Sequence, residues 1–316
     1  MICLGIESTA HTLGIGIIDN KKIIANEKKM LFGKGIHPRK TADHHACVFD
    51  EILTAALNKA EVSLKDIDRV AFSQGPGIGP CLRVSSVGAR AIGLMYDKPV
   101  FGVNHCVAHI EISKFMTGLK DPLIVYVSGG NTQIIVREGI HYSVLGETLD
   151  IGIGNMLDNF AREINENGAR EIELLAKSGK EYVQLPYSVK GMDMTFTGLQ
   201  TDAIKKINRI RKEDLCFSLQ ETAYSMICEA AERALALTKK RSVVVCGGVA
   251  QNKRLQEMLK TMADDWKCKF GVAANEFNAD NGAMIAYVGS IMKKEKRLAI
   301  KNCIPIQKYR TDQFTF

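Results

Sequence analysis

No two of the nine cysteines are spaced as C-x-x-C. That removes the signature of thioredoxin-like redox chemistry and of zinc ribbons. An odd count, with Cys3 and Cys246 inside apolar runs, reads as buried reduced thiols and not as a disulfide framework. The start, "MICLGIEST", has no basic segment followed by a long apolar one, so a signal peptide is not expected. No run approaches the roughly 18 apolar residues of a membrane span, and no low-complexity stretch interrupts the chain. These absences point to a cytoplasmic globular protein.

The 316 residues suffice for one large or two medium domains, and 46% hydrophobic with 24% charged is an ordinary globular balance. The 27 glycines gather at the ends of apolar runs, which suggests tight turns close to ligands. Net charge is +7. The densest basic runs are "IKKINRIRK" (204–212), "TKKRS" (238–242) and "MKKEKR" (292–297). Each is explained by solvated helix faces and helix ends, and together they permit a nucleic-acid partner.

Strand and helix patterns alternate. "ICLGIE", "TLGIGIID" and "KIIANEK" read as strands, and residues 41–60 as an amphipathic helix with apolar positions at helical spacing. "RVAFSQ" is a strand, followed by the turn "GPGIGP", a helix to about Tyr96, and the strand "PVFGV". The plan then repeats. "PLIVYVSGGNTQIIVREG" (122–139) mirrors residues 2–20, "YSVLGE" supplies a third strand, and 217–238 matches the helix 41–60. "SVVVCGGVAQN" (242–252) matches "RVAFSQGPGIG". The expected organisation is a duplicated α/β unit. Residues 1–120 form subdomain I, with 295–316 packing back on it, and 121–294 form subdomain II. Glycine turns would face a cleft between them.

In "NHCVAHIEI" (104–112), His105 and His109 are four apart, and Asn104 is a good helix N-cap. On a helix the two imidazoles share a face and can hold one metal ion. Zinc peptidases use the same spacing in H-E-x-x-H, but Cys106 stands where their glutamate base would be. Asp280, in "FNADNGAMIAYVG", precedes an apolar helix; either it or Asn281 is simply that helix's N-cap, or Asp280 faces the cleft as a third ligand. Two histidines and one carboxylate leave coordination positions open. The turns "SGGNT" (128–132) and "CGGVAQN" (246–252) offer backbone N–H groups suited to phosphates. "GPGIGP" is a third candidate, although proline removes donors. Either turn alone is an ordinary connection; two at matching places in two halves suggest a ligand. Glu7 ends the first strand beside Ser8 and Thr9, where it could orient water or a metal. Asp158 and Glu173 could take ribose hydroxyls or simply face solvent. "HPRKTADHH" (37–45) brings three of the seven histidines together before a helix.

With these residues in place, the chain resembles the universal tRNA threonylcarbamoyladenosine transferase family in its archaeal and eukaryotic form, once described as O-sialoglycoprotein endopeptidase. The similar segments include "GIESTAHTLGIGI", "FSQGPGIGPCLRV", "GVNHCVAHIEI", "YVSGGNTQ", "GETLDIGIGNMLDNFAR", "LPYSVKGMDMTFTGL" and "DNGAMIAY", in family order along essentially the whole chain. The resemblance implies the actin/hexokinase/heat-shock ATPase fold around a nucleotide cleft. It implies one divalent metal, iron or zinc, on His105, His109 and Asp280 with Tyr126, and magnesium as a further candidate. It implies an adenine nucleotide (ATP, AMP or threonylcarbamoyl-AMP) held by Tyr126, Val127, Ser128, Gly129, Gly130, Asn131 and Thr132. Asp158, Gly168, Glu173, Gly247, Gly248 and Asn252 complete that set. The implied reaction transfers threonylcarbamoyl from its adenylate to an adenosine adjacent to the anticodon of tRNA. The implied partners are the KEOPS subunits, among them a small protein kinase that some archaeal relatives carry fused at the C-terminus. The chain departs from the family at Gly168, Ala169 and Arg170, where Gly-Gly-Pro is usual.

No Ser–His or Cys–His pair offers a nucleophile, so the expected route is direct attack by the adenosine amine. The candidates for catalytic roles are Glu7, His44 and His45. Three other readings remain at this level: a small-molecule kinase of the same fold, a metallopeptidase, and a nucleotide-binding scaffold without catalysis. Paired histidines argue against the first, Cys106 against the second, and an intact metal set against the third.

Overall fold

The computed structural model describes residues 1–31 and 37–316. In chain order the elements are β1 (Ile2–Glu7), β2 (Thr12–Asp19), β3 (Lys22–Met30), α1 (Pro38–Ala60), β4 (Arg69–Gly75), α2 (Gly79–Met95), β5 (Val100–Asn104) and α3 (His105–Thr117). Next come β6 (Leu123–Val127), β7 (Thr132–Glu138), β8 (His141–Glu147), α4 (Ile153–Glu163), α5 (Ala169–Ala176), the short pair β9 (Val189–Lys190) and β10 (Asp193–Met194), and α6 (Thr197–Lys205). The chain continues with α7 (Lys212–Thr238), β11 (Ser242–Cys246), α8 (Lys253–Asp265), β12 (Lys269–Val272), α9 (Asn275–Asn278) and α10 (Gly282–Ile291).

The repeat seen in the sequence is a repeat of topology. One five-stranded sheet has the order β3-β2-β1-β4-β5, and the other, taken from its far edge, β8-β7-β6-β11-β12. In each, the first strand pairs antiparallel with the second and parallel with the fourth. The helix before the fourth strand is α1 in one case and α7 in the other. Helix α1 starts earlier than the apolar spacing alone suggests. Pro38 suits the first turn, where no N–H is needed, and the His37 ring accepts from the Lys40 N–H at 3.5 Å.

Two compact units result. Unit 1 holds Met1–Ile112, Gly139–Tyr142 and Ala274–Phe316; unit 2 holds Ser113–Glu138 and Ser143–Ala273. The sequence boundary placed 121–294 in the second subdomain, but residues 274–294 belong to unit 1. The reason is α10. Its buried apolar face lies on β1, β2 and β4, and glycines allow the backbones to meet. A Cβ on Gly5 would sit 2.1 Å from the Ala286 nitrogen, one on Gly16 2.2 Å from the Ala283 nitrogen, and one on Gly282 2.1 Å from the Gly16 nitrogen. Gly5 and Gly16 are in mid-strand and Gly282 opens α10; all three serve helix packing, not ligand turns as the abundance of glycine first suggested. With α10 on one face and α1 on the other, β2 is buried along nearly its whole length, which is why it reads as a continuous apolar run.

The last segment lies in unit 1 as a strap without strands. The Leu298 N–H donates to Val100 O (2.8 Å) and the Ile306 N–H to Gln74 O (2.7 Å). The Asn104 amide donates to the carbonyls of Tyr309 and Arg310, both at 3.1 Å. Unit 2 has its own core, in which Leu123, Val125 and Val127 of β6 pack with Phe160, Leu219, Tyr224 and Ile227. All nine cysteines are free thiols, and among the described residues no helix is long and apolar enough to cross a membrane.

The glycine seat makes a direct prediction. Gly16→Ala forces a methyl group into helix backbone and should cost about 2–3 kcal/mol, measured by urea unfolding. Gly198→Ala, where a Cβ meets nothing within 4 Å, should leave stability nearly unchanged.

Candidate functional site

Helix α3 begins where β5 ends, capped by Asn104, whose side-chain oxygen accepts from the Val107 N–H at 3.1 Å. His105 and His109 therefore occupy its first turns, with ring centroids 4.7 Å apart and planes at 88°. Asp280 arrives from the residue before the N-cap of α10, Asn281. Its Oδ1 lies 3.2 Å from His109 Nε2 and 3.6 Å from His105 Nε2. One ligand atom from each of the three residues falls within 4.8 Å of the others, and all three belong to unit 1.

Glu7 stands behind this set. Its Oε2 is 3.0 Å from His105 Nδ1, while its Oε1 accepts from the Thr9 N–H at 2.6 Å. The Thr9 hydroxyl is a further 3.3 Å neighbour of the same ring nitrogen. A carboxylate on Nδ1 fixes the tautomer that presents Nε2 forward, as metal-ligating histidines require. The donor set and this backing fit a divalent metal of the iron or zinc type. Cys106 is buried beside the pair in sequence but is not part of the converging group.

Burial works against a charge on His105, but the Glu7 carboxylate outweighs it and raises the pKa to about 9. Burial lowers that of His109, with Asp280 opposing. For Asp280, burial would raise the carboxyl, yet the His109 hydrogen bond and the nearby histidines hold it well below the usual carboxylate range.

His44 and His45, the sequence candidates for a base, do not join the group. His45 is buried in α1 and its Nε2 is 2.8 Å from the Ala10 carbonyl. Its Nδ1, His44 Nε2 and His11 Nδ1 are buried without a hydrogen-bond partner among the described residues. His11 carries no spacing signal of its own and is noticed only because its charge reaches Asp280.

Unit 2 assembles the other candidates. The turn 128–132 closes on itself: the Ser128 N–H donates to Asn131 O (2.8 Å) and the Asn131 N–H to Ser128 Oγ (3.1 Å). The first N–H groups of α4 brace it, Ile153 on Thr132 Oγ1 (2.9 Å), Gly154 on Ser128 O (3.1 Å) and Asn155 on Gly129 O (3.0 Å). The N–H groups of Gly129 and Gly130 have no acceptor among the described residues, and a Cβ on Gly130 would meet nothing within 4 Å. Gly247 (φ +94°) lies against Val127 and the Tyr126 ring, so the second glycine turn sits at the end of β6. Tyr126 and Val127 are fully buried at the end of β6.

Asp158, Gly168, Glu173 and Asn252 are also fold-bearing. Asp158 Oδ1 accepts from the Ala169 N–H (2.8 Å), and a Cβ on Gly168 would come within 3.0 Å of that same oxygen. Ala169 thus opens α5 on the Asp158 carboxylate. Glu173 Oε1 accepts from the Lys253 N–H (3.1 Å). Asn252 caps α8 through Leu255 (3.0 Å) and donates to Gln220 Oε1 (3.0 Å). Gln220, which no sequence signal marks, helps line a cavity of about 230 Å³ with Glu173, Glu221 and Lys253. Gly248 follows Gly247 with open space at its α-carbon. The third turn, "GPGIGP", is not available as a phosphate cradle, since its Gly77 and Ile78 N–H groups donate to Gln307 O (3.2 Å) and Thr9 O (2.8 Å).

A family model described as tRNA N6-adenosine threonylcarbamoyltransferase matches residues 17–287. Proteins of that name from Thermococcus sibiricus and Thermococcus kodakarensis are each 52% identical over 99% of this chain and 98% of their own length. A probable bifunctional tRNA threonylcarbamoyladenosine biosynthesis protein of Methanococcus maripaludis is 49% identical over 99% of this chain, which spans 58% of its length. Among solved structures, Thermococcus kodakarensis HypF has a TM-score of 0.68 at 14% identity, covering 94% of this chain and 49% of its own. Component A of (R)-2-hydroxyglutaryl-CoA dehydratase from Acidaminococcus fermentans has a TM-score of 0.58 at 16% identity, covering 92% and 97%. These distant likenesses establish the fold, that of the actin/hexokinase/heat-shock ATPase class.

Two measurements test the metal reading. Glu7→Gln should lower zinc affinity about 10- to 100-fold with the fold intact, read by chelator competition. In the metal-free chain the proton on His105 stabilises the fold fully below about 6.5, and that contribution fades as pH rises through about 9. A metal must displace this proton. Zinc affinity should therefore climb with pH and level off near 9; a flat profile would exclude His105 as a ligand.

Proposed function

The chain belongs to the tRNA N6-adenosine threonylcarbamoyltransferase family, and from that membership we propose that it transfers a threonylcarbamoyl group from threonylcarbamoyl-AMP to an adenosine adjacent to the anticodon of tRNA. The observation that carries the site assignment is the convergence of His105, His109 and Asp280 with Glu7 behind His105. In the transfer, the N6 nitrogen of the adenosine bonds to the carbamoyl carbon, the bond from that carbon to the phosphate oxygen breaks, AMP departs, and the amine loses a proton.

A divalent iron or zinc ion at the three ligands would supply Lewis acidity and a template for the acyl-phosphate end. This chain's own residues bind and orient the reacting groups. Glu7 and Thr9 lock the His105 ring. The uncommitted N–H groups of Gly129 and Gly130 suit a phosphate, because they need no reorganisation to donate. Free carboxylate oxygens of Asp158 and Glu173, each using its other oxygen to cap a helix, suit ribose hydroxyls. Positioning and charge stabilisation of this kind remove the need for a covalent intermediate. The bifunctional name and greater length of the Methanococcus relative support a partnership with a further domain or subunit, for which we propose the KEOPS assembly and its kinase.

Two histidines with one carboxylate set this site apart from the all-oxygen environment that magnesium prefers in kinases. The test is incorporation of labelled threonine into tRNA by the chain together with its partner subunits. His109→Ala and Asp280→Asn should each abolish incorporation and metal retention. Undiminished incorporation by either variant, or after complete metal removal, would overturn the assignment.

A further inference from the structure

The transfer chemistry uses none of the three basic runs, and one of them, 292–297, lines a cavity. We propose that this run closes an anion-binding site in unit 1 that takes a phosphate group. A cavity of about 460 Å³ lies where β1, β4 and β5 begin, lined by Asp68, Arg69, Phe101, Lys294 and Arg297 together with Met1 and Pro99. Arg69 is its buried cation, only 8% exposed. The guanidinium carbon sits 5.0 Å from the centre of the Phe101 ring, and Nη1 donates to the carbonyls of Gly289 (3.2 Å) and Met292 (2.8 Å) at the end of α10. Among the described residues, Nε and Nη2 of Arg69 have no acceptor, and no carboxylate pairs with Arg69, Lys294 or Arg297.

Asp68 is the cavity's one acid, and it is already engaged. Its Oδ2 accepts from the Ile2 N–H at 2.7 Å. Three cationic side chains thus converge on a hollow with one committed carboxylate. A nearly buried guanidinium with idle donors is costly unless an anion completes it, and its planar fork matches the oxygens of a phosphate. The hollow falls in the size range of small-molecule sites, roughly 300–1,000 Å³. That is larger than a bare phosphate, so the group would be borne by a bigger molecule.

The site is separate from the metal set. Strand β1 starts beside the cavity and ends at Glu7; its six residues span about 20 Å. The phosphate has two sources, a small phosphorylated metabolite or the phosphodiester backbone of an RNA. Only the second rests on the transferase reading.

Inorganic phosphate is the probe, added to the full chain, with the Arg69 Nε–Hε correlation followed by NMR. A saturable shift is expected. Lys294→Gln combined with Arg297→Gln, both exposed positions, should weaken it at least about tenfold, while Lys301→Gln, outside the cavity, should not. Absence of a saturable shift, or an unchanged titration in the double variant, would overturn the site. The salt dependence of tRNA affinity then separates the sources. A logarithmic slope reduced by about one to two in the double variant assigns the backbone phosphate. An unchanged slope with weakened phosphate binding assigns a small molecule.

Discussion

The arrangement depends on one backbone contact, the seating of α10 on the glycines of β1 and β2. Gly5, Gly14 and Gly16 leave no side chain on that face, so the helix backbone rests on the strand backbone. The contact fixes the height and direction of α10, and hence of the residue just before its cap. Asp280 is held opposite two histidines that belong to another helix, more than half the chain away in sequence. Interior packing is intolerant of even a methyl group at such points, so the placement of Asp280 against the two histidines inherits the stiffness of the sheet.

The same logic explains why polar groups there are satisfied in layers. His105 and His109 would be poor companions in a buried place if both were charged. Glu7 takes one ring nitrogen of His105, Thr9 steadies Glu7, and Asp280 draws on both rings. In unit 2 the carboxylates of Asp158 and Glu173 follow a comparable economy, since one oxygen of each organises a helix start and leaves the other for a ligand.

Much of this was legible in the sequence. The duplicated plan was visible because small turns followed strand patterns in the same order twice, and the i, i+4 histidines announced a shared helix face. Asp280 could be read as a cap or as a ligand. It proves to precede the cap, Asn281, which takes the Met284 N–H at 3.0 Å. What could not be read was long-range placement. Glycines in strands look like turn formers until a helix is found lying on them, and for that reason α10 was assigned to the wrong half. The N–H groups of "GPGIGP" looked free until the C-terminal strap claimed one of them. Gln220 and His11 gave no local pattern, because each matters only through neighbours brought by the fold.

The strap along β5 has a consequence for the order of assembly. The Asn104 amide is held by carbonyls 205 and 206 residues later, and His109 meets Asp280 across 171 residues. Loops this long close late and slowly. On a ribosome, the histidine pair emerges early but stays without Asp280, and without the carbonyls of Tyr309 and Arg310 that anchor its helix cap, until those residues have been made. A product ending before Asp280 would carry the two histidines on an untethered helix, without the carboxylate that faces them.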